Sequence, residues 1–421
     1  MIDIERPTAP GSIAATGLDM GVLADLALKT LYFASNIDGA DLAKRLALSL
    51  SATAELLEFL RRERLCEMIG GTGRSAAAVR SSLTSKGIER AVAALATSGY
   101  VGPAPVPFQA YIDQVRRQTI HSVELSRQVI EESLSHLVLP QRTLDLIGQA
   151  VSSKRATLLY GASGNGKTSA AEGLGKALPG HILIPHAVEV MRETIQVYDP
   201  STHHAVDGSD GGQSAGRGRP DRRWAVIRRP AVFAAGELAT NHLELMLDQV
   251  HNTYEAPIQM KANGGLLVID DIGRQRLEAT YLLNRWVIPL ERQVDHLSLH
   301  SGARFEVPFD VIPVFVSNLP PTELADDAFL RRIRYKVEIP GPDAPMFLEI
   351  LKRECQRNNV SCDEDAATYL INKYFGEGIR EMRGCHPRDF VEAIADAARY
   401  QGGERVLTAS TVDEAHSHYF V

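Results

Sequence analysis

Only four of the chain's 421 residues are cysteine: Cys66, Cys355, Cys362 and Cys385. They lie far apart without metal-ligand spacing, which excludes a disulfide framework or a zinc module as the organising principle. Buried thiols in a reducing, cytoplasmic compartment are the expected state. No uninterrupted apolar run reaches the ~20 residues that a membrane-spanning helix needs. Residues 1–10 carry Asp3 and Glu5 in place of a basic segment and an apolar core, so they do not read as a signal peptide. A charge excess is also lacking. Lys and Arg number 45 against 52 Asp and Glu, a net of −7 that gives no global pull toward nucleic acid. No internal repeat is present. What remains is 44% hydrophobic and 23% charged, an ordinary globular composition, at a length that suits two or three domains.

The most specific stretch is Gly161-Ala162-Ser163-Gly164-Asn165-Gly166-Lys167-Thr168, which satisfies G-x-x-x-x-G-K-[ST]. An apolar run, Ala156 to Tyr160, precedes it, and a helical pattern from Ser169 to Leu178 follows. Strand, glycine loop and helix form the context in which this motif cradles phosphate. Glycines let backbone N–H groups converge on an anion, and the helix N-terminus adds partial positive charge. Lys167 is placed to reach the outer phosphates and Thr168 to ligand Mg²⁺. Ser169 completes the candidate ATP contacts.

Leu266-Leu267-Val268-Ile269 runs into Asp270-Asp271. A continuous apolar run suits a central parallel strand, and carboxylates at its C-terminal end sit where open α/β sheets bind ligands. Asp270 is the expected Mg²⁺ residue and Asp271 the expected water-orienting one. A further buried strand, 311–317, ends in Asn318. An arginine cluster follows at Arg331, Arg332 and Arg334, then His386-Pro387-Arg388 at the start of an amphipathic helix.

This order resembles the AAA+ ATPases over roughly residues 125–421. The resemblance implies a P-loop parallel-sheet core with an α-helical lid. It makes Asn318 the sensor-1 residue, Arg332 the arginine finger with Arg331 its close competitor, and Arg388 the sensor-2 arginine, and it implies Leu137, Val138, Leu139 and Pro140, just upstream of the core's first helix, as candidates for the adenine pocket. The family usually carries Asp-Glu where this chain has Asp270-Asp271. The shorter side chain reaches one methylene less, so Asp271→Glu is expected to recover or exceed the native rate. Ala262-Asn263-Gly264-Gly265 resembles the lead-in of the MoxR-like, chelatase-like and σ54-activator branches. Residues 277–292 read as a helix. Residues 294–300 and 303–308 read as a hairpin around Ser301-Gly302, similar to the pre-sensor-1 hairpin of those branches. Residues 207–216 form a flexible tract, followed by Arg217, Arg219, Arg222, Arg223, Arg228 and Arg229. An insertion near 200–230, with strands at 224–227 and 231–234, is either a substrate-touching element or a charged surface loop.

Residues 1–100 read as a separate unit. Three helices and a hairpin tipped by Gly70-Gly71-Thr72-Gly73-Arg74 resemble a winged helix-turn-helix. Its recognition helix is expected at 54–65, capped by Ser51 or Thr53. The N-terminal part of such a helix reads bases. Glu55 and Glu58 face phosphate unfavourably there, and charge over residues 1–120 is near balance. Protein docking, self-assembly and DNA binding all remain open for this unit. Three prolines at 103–107 mark a linker, 101–124, with a helical stretch at 108–135. The core is expected at 125–340 and the lid at 341–421. The function that follows is a hexameric or other ring that couples ATP hydrolysis to remodelling a protein partner. A DNA-bound ATPase and a slow nucleotide switch are the alternatives.

Overall fold

The structure is a computed structural model that describes residues 6–69, 80–206, 219–250, 252–273, 279–324, 327–376 and 379–419. The expected glycine tip at 70–74, the tract at 207–216 and Arg217 lie outside these residues.

The first unit is built on the helix Met20–Ala34, whose leucines at 23, 26, 28 and 31 are buried. Helices Gly39–Leu46 and Leu50–Arg62 pack with it, and the helix Ser85–Thr97 lies along it. A small antiparallel sheet has the order Ile37–Asp38, Arg80–Leu83, Cys66–Ile69. The third helix corrects the expectation. It begins at Leu50, not at 54, because Ser49 is extended and its hydroxyl accepts from the Ala52 amide at 3.2 Å. Neither Ser51 nor Thr53 caps: their hydroxyls donate to Gly11 O and Ser49 O.

The chain's own N-terminal segment crosses this helix start. Ser49 Oγ donates to Pro10 O at 2.6 Å, Ser51 Oγ to Gly11 O at 2.7 Å, and the Ile13 amide to Glu55 Oε2 at 2.9 Å. The same segment bonds residues 219–221 through Ala9 N to Arg219 O and Asp221 N to Pro7 O, both 2.8 Å.

The central sheet is wholly parallel, with order Ala231–Ala234, Gly265–Ile269, Val311–Ser317, Thr157–Tyr160, Tyr335–Glu338. Its middle strands are buried on both faces, which explains their unbroken apolar runs. The molecule is therefore mixed α/β with a parallel-sheet core. Ala231–Ala234, expected in the insertion, is instead an edge strand of this sheet. A second, mixed sheet runs Met246–Asp248, Thr253–Glu255, Glu193–Gln196, Ala187–Val190, Val106–Pro107. Trp224–Arg228 pairs antiparallel with His181–Pro185. The expected hairpin is present as Val294–Ser298 and Arg304–Pro308.

Two long helices break for local reasons. The stretch at 108–135 divides into Phe108–Arg117, a single 3-10 turn at Ile120–Ser122, and Arg127–Ser133. Thr119 Oγ1 and the Ile120 amide both donate to the Asp310 carboxylate there, at 2.6 and 3.0 Å. The stretch at 277–292 divides into Ala279–Arg285 and Val287–Arg292. Pro289 cannot donate to the Arg285 carbonyl, and its ring crowds that group. The arginine run is also only partly solvated. Arg223 is buried against Asp221 at 2.8 Å, and Arg229 donates to Gln118 O and Gly264 O.

The C-terminal helices Ala344–Asn358, Glu364–Tyr374, Cys385–Gln401 and Ala409–Tyr419 share one core around Phe347, Leu370 and Phe390. Among the described residues, no helix is long and apolar enough to cross a membrane.

Candidate nucleotide-binding site

The glycine loop leaves the strand Thr157–Tyr160 and enters the helix Lys167–Ala177. Gly161, Gly164 and Gly166 have φ of +138°, +88° and +85°. Space is as restrictive as conformation at two of them. A Cβ on Gly161 would meet Ile339 O at 2.5 Å, and one on Gly164 would meet Cys385 Sγ at 2.5 Å. Asn165 is buried, accepts from the Gly384 amide at 3.2 Å and so ties the loop to the start of the helix Cys385–Gln401. Leu137 packs against Gly166, which puts one of the proposed adenine-pocket residues beside the loop. Lys167 Nζ donates to Gly161 O at 3.0 Å and Ala162 O at 2.8 Å. Its ammonium therefore lies across the loop that carries it. Ser163 and Thr168 are exposed, and Ala162 and Ser169 half-buried, on the same turn.

The neighbouring strands bring in the acidic pair and the amide. Thr168 Oγ1 donates to Asp270 Oδ2 at 2.7 Å. Asp270 Oδ1 accepts from the Asp271 amide at 2.7 Å, and Asn318 Nδ2 donates to Asp271 Oδ1 at 2.8 Å. Asp271 sits in the left-handed region, φ +53°, where Asp and Asn are enriched among non-glycine residues. The turn is pinned behind by Ser317 Oγ donating to Ile272 O at 2.9 Å. Three adjacent parallel strands thus deliver Lys167, Thr168, Asp270, Asp271 and Asn318 to one end of the sheet. The Thr168 hydroxyl and Asp270 carboxylate are hard oxygen donors side by side, a set that fits Mg²⁺ completed by water and phosphate. Among the described residues, no group of three or more His, Cys, Asp or Glu is arranged to hold a metal by itself.

The arginines fall elsewhere. Arg388 lies in the first turn of Cys385–Gln401, half-exposed, and donates from Nε and a terminal nitrogen to Asp389 Oδ1 at 3.1 and 2.9 Å. Arg332 donates to Glu291 Oε1 at 2.7 Å, and Arg331 is exposed. Both precede the strand Tyr335–Glu338, whose Tyr335 pairs with Thr157. They therefore stand at the N-terminal end of the sheet, opposite the glycine loop. Arg383 and Gly384, which contact His386 and the loop, carry no motif that marks them in the sequence. His386 is buried, and burial with the nearby Arg383 pushes its pKa down to about 4, against the weaker pull of Asp389. It is neutral near pH 7, with Nδ1 accepting from the Arg383 amide at 3.2 Å and its ring stacked on Phe375 at 5.0 Å.

Residues 343–418, within the C-terminal helices, match a family model described as a domain of unknown function, DUF8689. No curated protein matches the chain. Solved structures similar to it include NtrX from Brucella abortus, at 13% identity and TM-score 0.40, over 72% of this chain and 57% of NtrX. The Thermotoga maritima RuvB Holliday junction branch migration motor matches at 12% identity and TM-score 0.36, over 66% of this chain and 70% of RuvB. Its K64R mutant matches at 13% and 0.38, over 67% and 73%.

Proposed function

We propose that this chain is a Mg²⁺-dependent AAA+ ATPase that works as a ring and remodels a protein partner. The observation that carries the reading is the assembly of Lys167, Thr168, Asp270, Asp271 and Asn318 at the C-terminal ends of three adjacent parallel strands. In this reading the loop amides and Lys167 bind the phosphates of ATP. Thr168 and Asp270 hold Mg²⁺, which neutralises charge developing on the phosphates. Asp271, oriented by Asn318, aligns the attacking water and accepts its proton. Arg388 contacts the nucleotide from the lid after exchanging its Asp389 partner.

The position of Arg331 and Arg332 supports action between subunits. Between Arg332 and the level of Gly161 lies the four-residue strand Tyr335–Glu338, about 13 Å at the rise of a β-strand. An arginine there can serve a neighbour's γ-phosphate but not its own. The N-terminal segment favours protein remodelling over the DNA-bound alternative. It hydrogen-bonds Ser49, Ser51 and Glu55, and so engages polar groups in the part of a recognition helix that reads bases.

Mixed rings test the reading. Lys167→Ala should abolish ATP binding, and Arg332→Ala should leave binding but stop turnover. An equal mixture places an intact loop beside an intact arginine at about a quarter of random interfaces, so about a quarter of native turnover should return. Co-assembled mixtures as inactive as each variant alone would refute a finger acting in trans. Arg331→Ala, run in parallel, decides between the adjacent arginines. Tight ATP binding with negligible native turnover would favour the nucleotide switch.

A further inference from the structure

A buried polar cluster at the foot of the Val294–Ser298/Arg304–Pro308 hairpin has no part in the reading above. The Asp295 side chain is 1% exposed. Its carboxylate accepts from the two terminal nitrogens of Arg285 at 2.5 and 3.2 Å, from Gln259 Nε2 at 2.9 Å and from the His296 amide at 2.7 Å. Arg285 Nε donates to Glu244 Oε1 at 2.8 Å. Buried ion pairs are poor devices for stability, because apolar residues of equal volume serve as well; their better-attested use is to fix one geometry.

The donors identify which geometry is fixed. Gln259 belongs to the helix Ile258–Lys261, which leads through Asn263 into the acidic strand Gly265–Ile269. Arg285 ends the helix Ala279–Arg285, downstream of Asp271. The segments before and after the acidic strand therefore converge on one carboxylate of the hairpin. A second grip lies beside it. Trp286 is fully buried, 5.8 Å from Phe309 just past the hairpin and 6.1 Å from Phe315, which stands three residues before Asn318. Asn263 closes the foot from the other side, donating to Pro308 O at 2.9 Å and accepting from the Asp310 amide at 2.8 Å. The hairpin is thus held at its base by the strands that carry Asp270, Asp271 and Asn318, while its tip at Ser301 and Gly302 is exposed.

We propose that Arg285 and Asp295 are positioning residues that pass the nucleotide state of the acidic and amide strands to this hairpin. A shift of either strand on binding a γ-phosphate moves Gln259, Arg285 or Trp286. The two-pronged contact then carries the hairpin with it, since its planar fork resists rotation. The proposal rests on the ATP-site reading.

The chain has two tryptophans, so Trp224→Phe leaves Trp286 as its single indole. In that full-length protein, Mg-ATP should shift Trp286 emission differently from Mg-ADP, and amide hydrogen exchange at the hairpin tip, 299–303, should differ between the two nucleotides as well. Asp295→Asn should lose the ATP-specific difference at the tip while keeping the Trp286 shift, far-ultraviolet circular dichroism and calorimetric ATP affinity. Arg285→Lys keeps the charge without the fork and should behave alike, which covers the case of a misfolded Asp295 variant. A folded variant that binds ATP and keeps the full difference at the tip overturns the proposal. So does a parent protein that binds ATP yet shows the same tip exchange with both nucleotides. A parent that binds no ATP overturns the nucleotide-site reading itself, and the calorimetry separates the two failures.

Discussion

The backbone at Asp271 reverses the expectation that a glutamate there would raise turnover. Asp271 holds φ at +53°, and its Oδ1 accepts from Asn318 at 2.8 Å. Glutamate is longer, and it lacks the short side chain that lets Asp and Asn occupy this region by bonding locally. Asp271→Glu should therefore cost up to about 1 kcal/mol in backbone strain, a part of the penalty for a left-handed residue, since Asp271 already carries the Cβ. Loss of the Asn318 contact would add about 1.5 kcal/mol, the lower end for a bond to a charged group, because the site is half-exposed. If that contact matters equally in the transition state, turnover falls about tenfold for each 1.4 kcal/mol. Asp271→Asn separates the effects: asparagine accepts the same backbone, so stability should hold while turnover stops. Phosphate release at saturating ATP and thermal unfolding of the three proteins make the comparison. An Asp271→Glu protein as stable as the parent, turning over at or above its rate, would refute the reasoning.

Gly164→Ala should destabilise the chain by about 2–4 kcal/mol, combining left-handed strain with overpacking against Cys385. Chemical denaturation should show Cys385→Ala recovering only the packing share; full recovery would mean the backbone at Gly164 is unstrained. The low pKa of His386 sets a pH dependence. Its folded value of about 4 lies below the unfolded 6.5, so the unfolded chain binds the extra proton between them, and stability falls as pH drops through that window. His386→Gln should flatten the fall in melting temperature from pH 6.5 to 4 relative to the parent, and parallel curves would remove His386 as the cause.

The parts of the site legible in the sequence are those whose chemistry is local. The glycine loop must use glycines, and strands buried on both faces must read as apolar runs, so Gly161–Lys167 order, Asp270 and Asn318 could be located in advance. The hairpin was visible because alternation and Ser301-Gly302 are both local signals. What escaped depends on distant partners. Arg223 and Arg229 look like solvated charges until Thr16 O, Pro105 O and Gln118 O are brought to them. Ala231–Ala234 has no feature that separates a core edge strand from an insertion strand. Asp295 reads as an ordinary polar position on a hairpin, and only the fold supplies Arg285 and Gln259.

The contact of Arg223 with Thr16 O spans 207 residues, and the bonds from residues 7 and 9 to 219–221 span a similar stretch. During synthesis the early segment emerges long before its partners exist. At about 5–20 residues per second, the interval is on the order of 10–40 s. Throughout it, residues 10–13 can lie across the start of the Leu50–Arg62 helix with nothing to anchor their other side. The nascent chain therefore passes through a stage in which the bonds of residues 10–13 to Ser49, Ser51 and Glu55 lack the contacts to 219–223 that later hold the same segment, a stage at which a chaperone or an early partner competes for it on better terms.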